Sequence, residues 1–422
     1  MTEPVTRRTF LASAAVAATF ANPARPMEGT KIRLGVIGMG GRGTDHARSL
    51  AKVADVTIAS VCDVDESRMK KAAGAVAKDG FAEPKTISDF RRILEDKEID
   101  GVTIATCNHW HAIMGILACQ AGKHVYVEKP CSHNPREGEL FIEAARKHKR
   151  HVQMGNQRRS YGHYIEAIKQ IREGVIGRAY LAKSWYFANR PSIGKGKAGD
   201  PPAGLNYELW EGPAPHRPYK DNYLHYNWHW FWHWGNGELG NNGVHSIDIC
   251  RWGLGVDYPI RVSSAGGRYR YEDDQETPDT HTVGFEFLDR KLITWEGLSC
   301  NSNPGGAAFD IVFHGDNGSM ILKDGGYTIH DVKGKEIKKL PPDKVNQMEH
   351  FNNWLAAIRS GAKLNSEIEE GHKSTLLCHL GNIAHRTGRS LKCDGKNGRI
   401  LEDAEAMKLW TREYAKGWEP KV

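Results

Sequence analysis

Metal-type cysteine spacing, internal repeats and long low-complexity tracts are missing from this chain of 422 residues. Its eight cysteines form no CxxC pair, which argues against a zinc site, and we predict no metal. A strong excess of one charge is also missing, because the formal net charge is only +7. The basic stretch 146–159 is interrupted by an apolar strand, so we do not expect nucleic acid binding.

A hydrophobic run suited to a membrane span is missing too, since the Ala-rich stretch 11–21 is short and weakly apolar. It follows Arg7 and Arg8 in a twin-arginine pattern, so residues 1–27 are predicted to be a Tat export signal. We therefore expect a periplasmic or secreted protein with no stable membrane span in its mature form. An uncleaved anchor and a disordered basic tail are the alternatives.

Export usually favours disulfides, but the twin-arginine route carries proteins that have already folded in the reducing cytosol. Four cysteines fall on predicted buried strands or on helix and loop positions: Cys62, Cys107, Cys119 and Cys131. Buried free thiols are therefore the simpler prediction.

The remaining composition is ordinary for a soluble globular protein, with 40% hydrophobic and 26% charged residues. The length predicts two domains after the leader, one over 28–155 and one over 156–422. Strand and helix patterns alternate through the first, as in a doubly wound parallel sheet. We predict helices over 66–78, 88–95, 109–121 and 135–148, and strands over 102–106, 124–128 and 151–154.

The second domain is richer in glycine, proline and aromatic residues. Its strand patterns predict a large, open and mostly antiparallel sheet, so the fold class is α/β with two unlike sheets. The strand-like runs are 179–187, 282–287 and 291–295. Helical patterns at 348–359, 366–386 and 402–414 make too short a tail for a third domain, and we expect them to pack back on the other elements.

The sequence GMGGRG follows an apolar run and is the most informative motif of the chain. Gly38 permits a tight turn, Gly40 leaves room for a pyrophosphate, and Gly43 lets the next helix pack on the strand. The helix that begins near Arg42 would place its positive end at the phosphates. The turn therefore predicts a dinucleotide site. Its expected cofactor-binding residues are Gly38, Met39, Gly40, Gly41, Arg42 and Gly43.

An acidic corner follows the second predicted strand. Asp63 lies twenty residues after Gly43, where a carboxylate can accept hydrogen bonds from the adenosine ribose. Asp65 and Glu66 add negative charge that would repel a phosphate on that ribose. We therefore predict NAD rather than NADP.

Two further stretches carry groups suited to proton transfer. Lys129 follows Glu128 at the carboxyl end of a predicted parallel strand, where doubly wound sheets place ligands. Burial and a nearby nicotinamide would depress its pKa; a surface lysine in a turn is the alternative. His245 opens a predicted helix, where an imidazole can take a hydroxyl proton; a structural histidine is the alternative.

The aromatic run HYNWHWFWHW at 225–234 allows three interpretations. On a strand, four tryptophans would share one face and form a platform for a sugar ring: Trp228, Trp230, Trp232 and Trp234. On a helix, three histidines would share a face and suit a metal: His225, His229 and His233. Core packing beneath the active site is the third interpretation, and it is favoured over a metal.

Together these motifs make the chain similar to the glucose-fructose oxidoreductase, inositol dehydrogenase and rhizopine catabolism (Gfo/Idh/MocA) family. The resemblance covers nearly everything after the leader. It rests on GMGGRG at 38–43, TCNHWH at 106–111, EKP at 128–130 and GVHSIDICRW at 243–252. It implies an NAD(P)-binding Rossmann domain, a second α/β domain whose open sheet often mediates oligomers, and oxidation or reduction of a sugar or polyol. A small carbohydrate substrate and a homodimer or homotetramer are therefore expected.

By the matching motifs, Lys129 corresponds to the lysine that orients the substrate hydroxyl near the nicotinamide, and His245 to the acid/base histidine. Further cofactor contacts are implied for Thr106, Asn108, His111, Glu128 and Lys129. The predicted substrate-binding residues are Lys129, Gln157, Arg158, Trp232, Asn241 and His245.

Two positions depart from the family pattern. Asn241 stands four residues before the histidine, where many relatives carry an aspartate, and an amide cannot ionise. Cys107 stands where a proline is common, which alters the loop backbone. The first departure puts the proton relay from His245 in question.

Export adds a constraint, because no free NAD pool is expected outside the cytosol. We therefore expect a tightly held nucleotide that is reset by reducing a second sugar, or the same molecule after an intermediate step. Two alternatives remain: a glycosidase that uses bound NAD transiently, and a non-catalytic, nucleotide-dependent sugar-binding protein.

Overall fold

Two β-sheets organise the computed structural model, which describes residues 31–304, 306–341 and 345–422. The predicted export signal lies outside the described residues. None of the helices in the described ranges is long and apolar enough to cross a membrane. All eight cysteines lie in those ranges and are free thiols, as predicted, and seven of them are buried.

The first sheet is formed by parallel strands near the start of the chain. These are β1 (Ile32–Ile37), β2 (Val56–Cys62), β3 (Lys85–Ile87), β4 (Gly101–Ile104), β5 (His124–Val127) and β6 (Val152–Met154). The helices between them are α1 (Gly41–Ala51), α2 (Glu66–Lys78), α3 (Phe90–Glu95), α4 (Asn108–Gln120) and α5 (Pro135–Lys147). The strand order β3-β2-β1-β4-β5-β6 is that of a Rossmann fold, so the prediction of a doubly wound sheet is confirmed.

Local signals in the sequence set the helix starts of this domain. The side chains of Asp65, Asp89 and Asn134 accept hydrogen bonds from main-chain N–H groups in the first turns of α2, α3 and α5. Helix α1 differs, since Gly40 precedes it and offers no side-chain cap. Its first N–H groups are therefore left for a ligand.

The second sheet follows β6 and is larger. Its strands are β7 (Ala179–Asn189), β8 (Arg261–Gly267), β9 (Thr280–Phe287), β10 (Lys291–Leu298), β11 (Cys300–Asn301), β12 (Phe309–Gly315), β13 (Gly318–Lys323), β14 (Gly326–Asp331), β15 (Glu336–Leu340), β16 (Leu391–Cys393) and β17 (Ile400–Leu401). They run in the order β15-β14-β13-β12-β7-β10-β9-β8-β16-β17, and β11 pairs with β7. Only the β7–β10 pair is parallel among the described strand pairs of this sheet. A mostly antiparallel second sheet is thus confirmed.

Helices cover one face of this sheet and also return to the first domain. They are α6 (Gly162–Arg172), α7 (Tyr207–Glu211), α8 (Val244–Leu254), α9 (Met348–Ser360), α10 (Ile368–Thr387) and α11 (Ala404–Met407). Phe351 and Trp354 of α9 pack on Tyr126 of β5, with ring centroids 4.8 and 5.8 Å apart. The tail therefore packs back on the other elements, as expected.

The helix predicted over 402–414 is wrong except for one α-helical turn. Helix α11 ends at Met407, and a 3-10 turn covers Lys408–Trp410. Trp410 is buried, and its indole N–H donates to Glu139 at 3.2 Å. Burial of this indole against the first domain accompanies the early end of the helix.

The aromatic run at 225–234 is neither a strand nor one continuous helix. Asn227–Trp230 form a short 3-10 helix, and Phe231 is extended. Trp228 and Trp234 join Trp210 in a buried aromatic cluster. The prediction that four tryptophans share one face of a strand was wrong, because burial of these large rings decides the backbone path. Core packing accounts for most of the run.

Candidate active site

A cavity of about 770 Å³ lies at the carboxyl ends of the parallel strands, between the two domains. This first cavity has the size and position expected of a ligand site in a doubly wound fold. Thirteen predicted site residues line it: Gly38, Gly40, Gly41, Arg42, Asp63, Thr106, Asn108, His111, Glu128, Lys129, Gln157, Asn241 and His245.

The glycine turn closes one end of the first cavity. Gly38 has φ +91°, and a Cβ there would lie 2.6 Å from the Ala105 carbonyl oxygen. A Cβ at Gly43 would lie 1.7 Å from the Gly38 carbonyl oxygen, so α1 can pack on the turn only with glycine at that position. With Gly40 and Gly41 lining the cavity beside uncapped N–H groups of α1, the turn fits a pyrophosphate.

Asp63 lies at the end of β2 and also holds the glycine turn. Its carboxylate accepts hydrogen bonds from the main-chain N–H groups of Met39 and, at 2.9 Å, Asp65. Burial raises the pKa of Asp63, and these two hydrogen bonds offset part of that rise. Arg68, which sequence analysis missed, also lines this corner and lies 3.8 Å from the Asp65 carboxylate.

Glu128 joins the two ends of the first cavity. Its buried carboxylate accepts hydrogen bonds from Arg42 Nε at 2.7 Å and His46 Nε2 at 3.1 Å. Burial raises the pKa of Glu128, but Arg42 and His46 outweigh it and hold that pKa well below its usual range. The side chain is therefore an anion fixed next to Lys129.

Lys129 reaches across from the first domain to the second. Its Nζ donates to the main-chain oxygen of Asn241 at 2.7 Å and to the Asn241 side-chain oxygen at 3.0 Å. Burial lowers the pKa of Lys129, while Glu128 and Glu238 partly restore it. The predicted cavity position of this lysine is thus observed, together with a partner from the other domain.

His245 stands on the opposite wall, in the first turn of α8. It lines the cavity, and its buried Nδ1 has no hydrogen-bond partner among the described residues. Burial lowers its pKa well below 6.5, and the positive charge of Lys129 lowers it further. The ring is therefore neutral near pH 7 at the cavity wall.

A π-helical turn at Leu239–Gly243 sets the position of His245 and Asn241. Such turns widen a helix locally and occur often at functional sites. Within this turn the Asn241 amide nitrogen donates to Glu238 at 3.3 Å, and Glu238 pairs with Arg190 at 2.9 Å. Asn241, which cannot ionise, thus connects Lys129 to a buried carboxylate.

Glu238 was missed by sequence analysis. It is nearly fully buried and lies three residues before Asn241, one helical turn away. An acid at that spacing before an unexpected asparagine is a signal that could have identified it.

Four predicted residues do not line the first cavity. Met39 is buried and contributes only its main-chain N–H, and Gly43 packs beneath the turn. Arg158 lies over the Phe309 ring at 4.2 Å and pairs with Asp324. Trp232 lines a second cavity, and the residues before it form a 3-10 helix instead of the expected strand.

An aromatic segment of the second domain, residues 204–236, covers the acidic corner. Two main-chain hydrogen bonds attach it there, from Glu66 to the Gly204 oxygen at 3.0 Å and from Asn206 to the Val64 oxygen at 2.9 Å. His225 adds a contact to the Asp65 carboxylate at 3.4 Å. The segment therefore encloses the end of the cavity where the acidic corner lies.

The three histidines of the aromatic run are not arranged as metal ligands. Among the described residues, no group of three or more His, Cys, Asp or Glu side chains is arranged to hold a metal ion. His229 contacts the Tyr226 carbonyl and His233 the Pro215 carbonyl, each at 2.6 Å. The three histidines thus have separate partners.

Comparison with family models decides the classification. The NAD-binding Rossmann fold model of the Gfo/Idh/MocA oxidoreductases matches residues 32–156, and their C-terminal alpha/beta domain model matches residues 184–420. The chain belongs to the Gfo/Idh/MocA oxidoreductase family. Its first domain is thus an NAD-binding domain, in agreement with the glycine turn.

Curated relatives match over part of their length. The inositol 2-dehydrogenase of Salmonella typhimurium is 32% identical over 158 residues, which are 37% of this chain and 46% of that protein. A glycosyl hydrolase family 109 protein of Stenotrophomonas maltophilia is 42% identical over 131 residues, which are 29% of each chain. The chain spans about half the length of the first relative and less of the second.

A solved structure extends the likeness over the whole fold. The aldose-aldose oxidoreductase from Caulobacter crescentus, complexed with glycerol, superposes with a TM-score of 0.65 at 20% sequence identity. The match covers 86% of this chain and 99% of that one. Both domains therefore have the arrangement seen in that oxidoreductase.

Proposed function

We propose that this protein is an NAD-dependent oxidoreductase that transfers hydride to or from a CH–OH group of a sugar, a polyol or a sugar derivative. The observation that carries the proposal is the meeting of Lys129 and His245, from two domains, in the cavity that the glycine turn closes. Bound NAD would supply the hydride acceptor. The residues of the chain then need only to orient the hydroxyl and move its proton.

Lys129 suits the orienting role, because its ammonium group is held at the cavity wall by two Asn241 oxygens. His245 suits the base role in oxidation, because its ring lines the cavity and, being neutral, can accept the hydroxyl proton. In the reverse direction the same ring would return the proton.

Tight retention of the cofactor is part of the proposal. The aromatic segment 204–236 is hydrogen-bonded to the corner after β2, so release of a dinucleotide would require these main-chain bonds to open. The name of the aldose-aldose oxidoreductase is consistent with a cycle in which one sugar is oxidised and a second is reduced. We therefore propose that NAD stays bound between the two half-reactions.

The first experiment expresses the protein without residues 1–27, washes it extensively, denatures it, and identifies the released nucleotide by mass and absorbance. We expect NAD or NADH near one per chain. Redox activity on paired sugars without added NAD would support the cycle, whereas free NAD acting as a readily exchanging substrate would contradict tight retention. Failure to bind any nucleotide would leave a sugar-binding protein as the better proposal.

Glycoside hydrolysis through transient oxidation is the second candidate. It is favoured by the 42% identical segment shared with a glycosyl hydrolase family 109 protein and by the aromatic residues that line the cavity. In this scheme bound NAD would begin and end each cycle oxidised. Release of a free aglycone from nitrophenyl glycosides without net NADH would favour hydrolysis over dehydrogenation.

Export through the Tat pathway is also proposed, on the twin-arginine pattern of Arg7 and Arg8. The test fuses residues 1–30 to a reporter that is active only outside the cytosol. Replacing both arginines by lysine should abolish export, and retention of export would contradict this assignment.

A homo-oligomer through the open face of the second sheet is the proposed assembly. Leu181, Trp185 and Phe187 of β7 are only partly buried in the monomer. Light scattering should give a dimer or tetramer, and Trp185→Glu should shift it toward the monomer. A wild-type monomer at micromolar concentration would contradict the proposal.

A further inference from the structure

A second cavity of about 480 Å³ lies apart from the first, on the other side of the loops that carry Lys129 and Asn241. Lys129 lines the first cavity, whereas His133 of the same loop lines the second. Likewise, Asn241 lines the first cavity and Asn236 lines the second. The volume falls within the range of about 300–1,000 Å³ typical of small-molecule sites.

Positive charge dominates the lining of this second cavity. Its cations are Arg217, Arg386, Lys408 and Arg412, and its one lining carboxylate among the described residues is Glu413. Two of the cations are already paired, Arg217 with Glu276 at 2.9 Å and Lys408 with Glu405 at 2.8 Å.

The other two guanidinium groups, those of Arg386 and Arg412, form no salt bridge with any described residue. Arg412 is half-buried, and burial lowers its pKa. Arg386 lies at the mouth of the cavity, over the Trp232 ring at 5.2 Å. A half-buried guanidinium group such as that of Arg412 usually faces a carboxylate or a phosphate, and the exposed Arg386 adds a second cation at the mouth of the cavity.

The buried floor supplies neutral hydrogen-bonding groups. Arg412 Nη1 donates to His133 Nδ1 at 3.0 Å, which places the ring proton on Nε2. That buried Nε2 has no partner among the described residues, and neither has the side-chain oxygen of buried Asn236. His379 and Asn382 complete this floor. Such a mixture of donors and acceptors is suited to hydroxyl groups.

We propose that the second cavity binds a hydroxylated organic anion, a sugar carboxylate or a sugar phosphate. Arg386 and Arg412 hold the anionic group, and the floor of His133, Asn236, His379 and Asn382 receives the hydroxyls. The two cavities share no lining residue, although the loop that carries Lys129 also carries His133. The proposal does not depend on the redox activity.

Calorimetric titration of the NAD-loaded protein tests the site with four probes: D-gluconate, D-glucose 6-phosphate, D-glucose and inorganic phosphate. We expect one of the two organic anions to bind, with an affinity that falls as salt increases. Glucose and inorganic phosphate should each bind at least about tenfold more weakly, since each lacks one half of the contacts. The stronger of the two organic anions identifies the carboxylate or the phosphate.

Variants locate the binding. Arg386→Gln and Arg412→Gln should each weaken it about tenfold or more. The matched control is Arg389→Gln, because Arg389 pairs with Asp403 on the surface and does not line the cavity. Lys129→Gln, which alters only the first cavity, should keep the anion affinity. If Arg412→Gln does not fold, Arg386→Gln at the cavity mouth carries the test.

Three results would overturn the proposal. The first is no heat from either organic anion at millimolar concentration. The second is unchanged affinity in the folded Arg386 variant. The third is a loss of binding in Lys129→Gln, which would place the anion in the first cavity.

Discussion

The two ends of the first cavity are built in different ways. At the glycine turn, shape comes from the main chain and from missing side chains, all within residues 38–63. At the Lys129 end, buried polar and charged groups from two domains meet across 112 positions of sequence, from Lys129 to Asn241. The first end tolerates no added Cβ at Gly38 or Gly43, whereas the second depends on the balance of charge among Lys129, Glu128 and Glu238.

Removing the proton-transfer groups should impair catalysis at the Lys129 end of the first cavity and leave nucleotide binding at the glycine turn intact. Lys129→Met and His245→Ala should each lower kcat by about 10²–10⁴-fold, while the nucleotide content stays near that of the wild type. Lys169→Met, at an exposed lysine, is the control. Because the pKa of His245 lies well below 6.5, oxidation by the wild type should keep its rate down to pH 6.5. Full activity in both variants would instead favour the binding-protein alternative.

Adding one carbon to the glycine turn should disrupt nucleotide binding at that end of the first cavity. In Gly43→Ala the new Cβ must displace the main chain at Gly38, which costs about 1–3 kcal/mol and should release the nucleotide. Urea unfolding and nucleotide content measure both effects. Gly74→Ala on α2 is the matched control: its Cβ meets nothing within 4 Å, so stability should rise by about 0.5–1 kcal/mol. Equal behaviour of the two variants would contradict the steric account.

Glu238→Gln sharpens the comparison, because it alters charge with little change of shape. Glu238 raises the pKa of Lys129, so its loss should lower that pKa and move the alkaline limb of the rate profile to lower pH. We expect kcat to fall about five- to tenfold and KM to change less, as for a positioning residue. Glu296→Gln on the exposed strand surface is the control. An unchanged pH profile would show a purely structural role.

Asn241→Asp should change kcat least and should shift the pKa of Lys129 in the direction opposite to Glu238→Gln. The new carboxylate would face Lys129 Nζ at the position of the present 3.0 Å contact, so the pKa of Lys129 should rise. The alkaline limb should then move to higher pH, with a change in kcat of only about two- to threefold. Rates measured between pH 6 and 10 on both variants check the pair of signs. Shifts in the same direction would contradict the charge model.

Much of the fold follows from local pattern. The helix predicted over 66–78 is observed at the same bounds, because Asp65 caps it and the apolar spacing is helical. The helix at 88–95 begins two residues later, at Phe90, since Asp89 takes the cap position. The strand expected for the aromatic run is wrong, because burial of the rings against Trp210, a contact distant in sequence, sets the backbone path.

The candidate site divides in the same manner. Lys129, Asn241 and His245 were identified by motif, but the bond from Lys129 to Asn241 joins two domains and is invisible to periodicity. Trp232 and Arg158 were expected at the substrate and lie elsewhere, since side-chain direction in irregular segments depends on their neighbours. The location of the protein and the cleavage of residues 1–27 stay predictions.

What the sequence determined by itself was the glycine turn, the alternation of strands and helices, and the residue types available for proton transfer. These are local properties, because steric limits at glycine and hydrophobic periodicity act over a few residues. Only the tertiary structure decided that Glu238 stands behind Asn241, that residues 204–236 cover the acidic corner, and that a second cavity gathers unpaired arginines. Burial and charge balance sum contributions from distant segments, so only the folded chain fixes them.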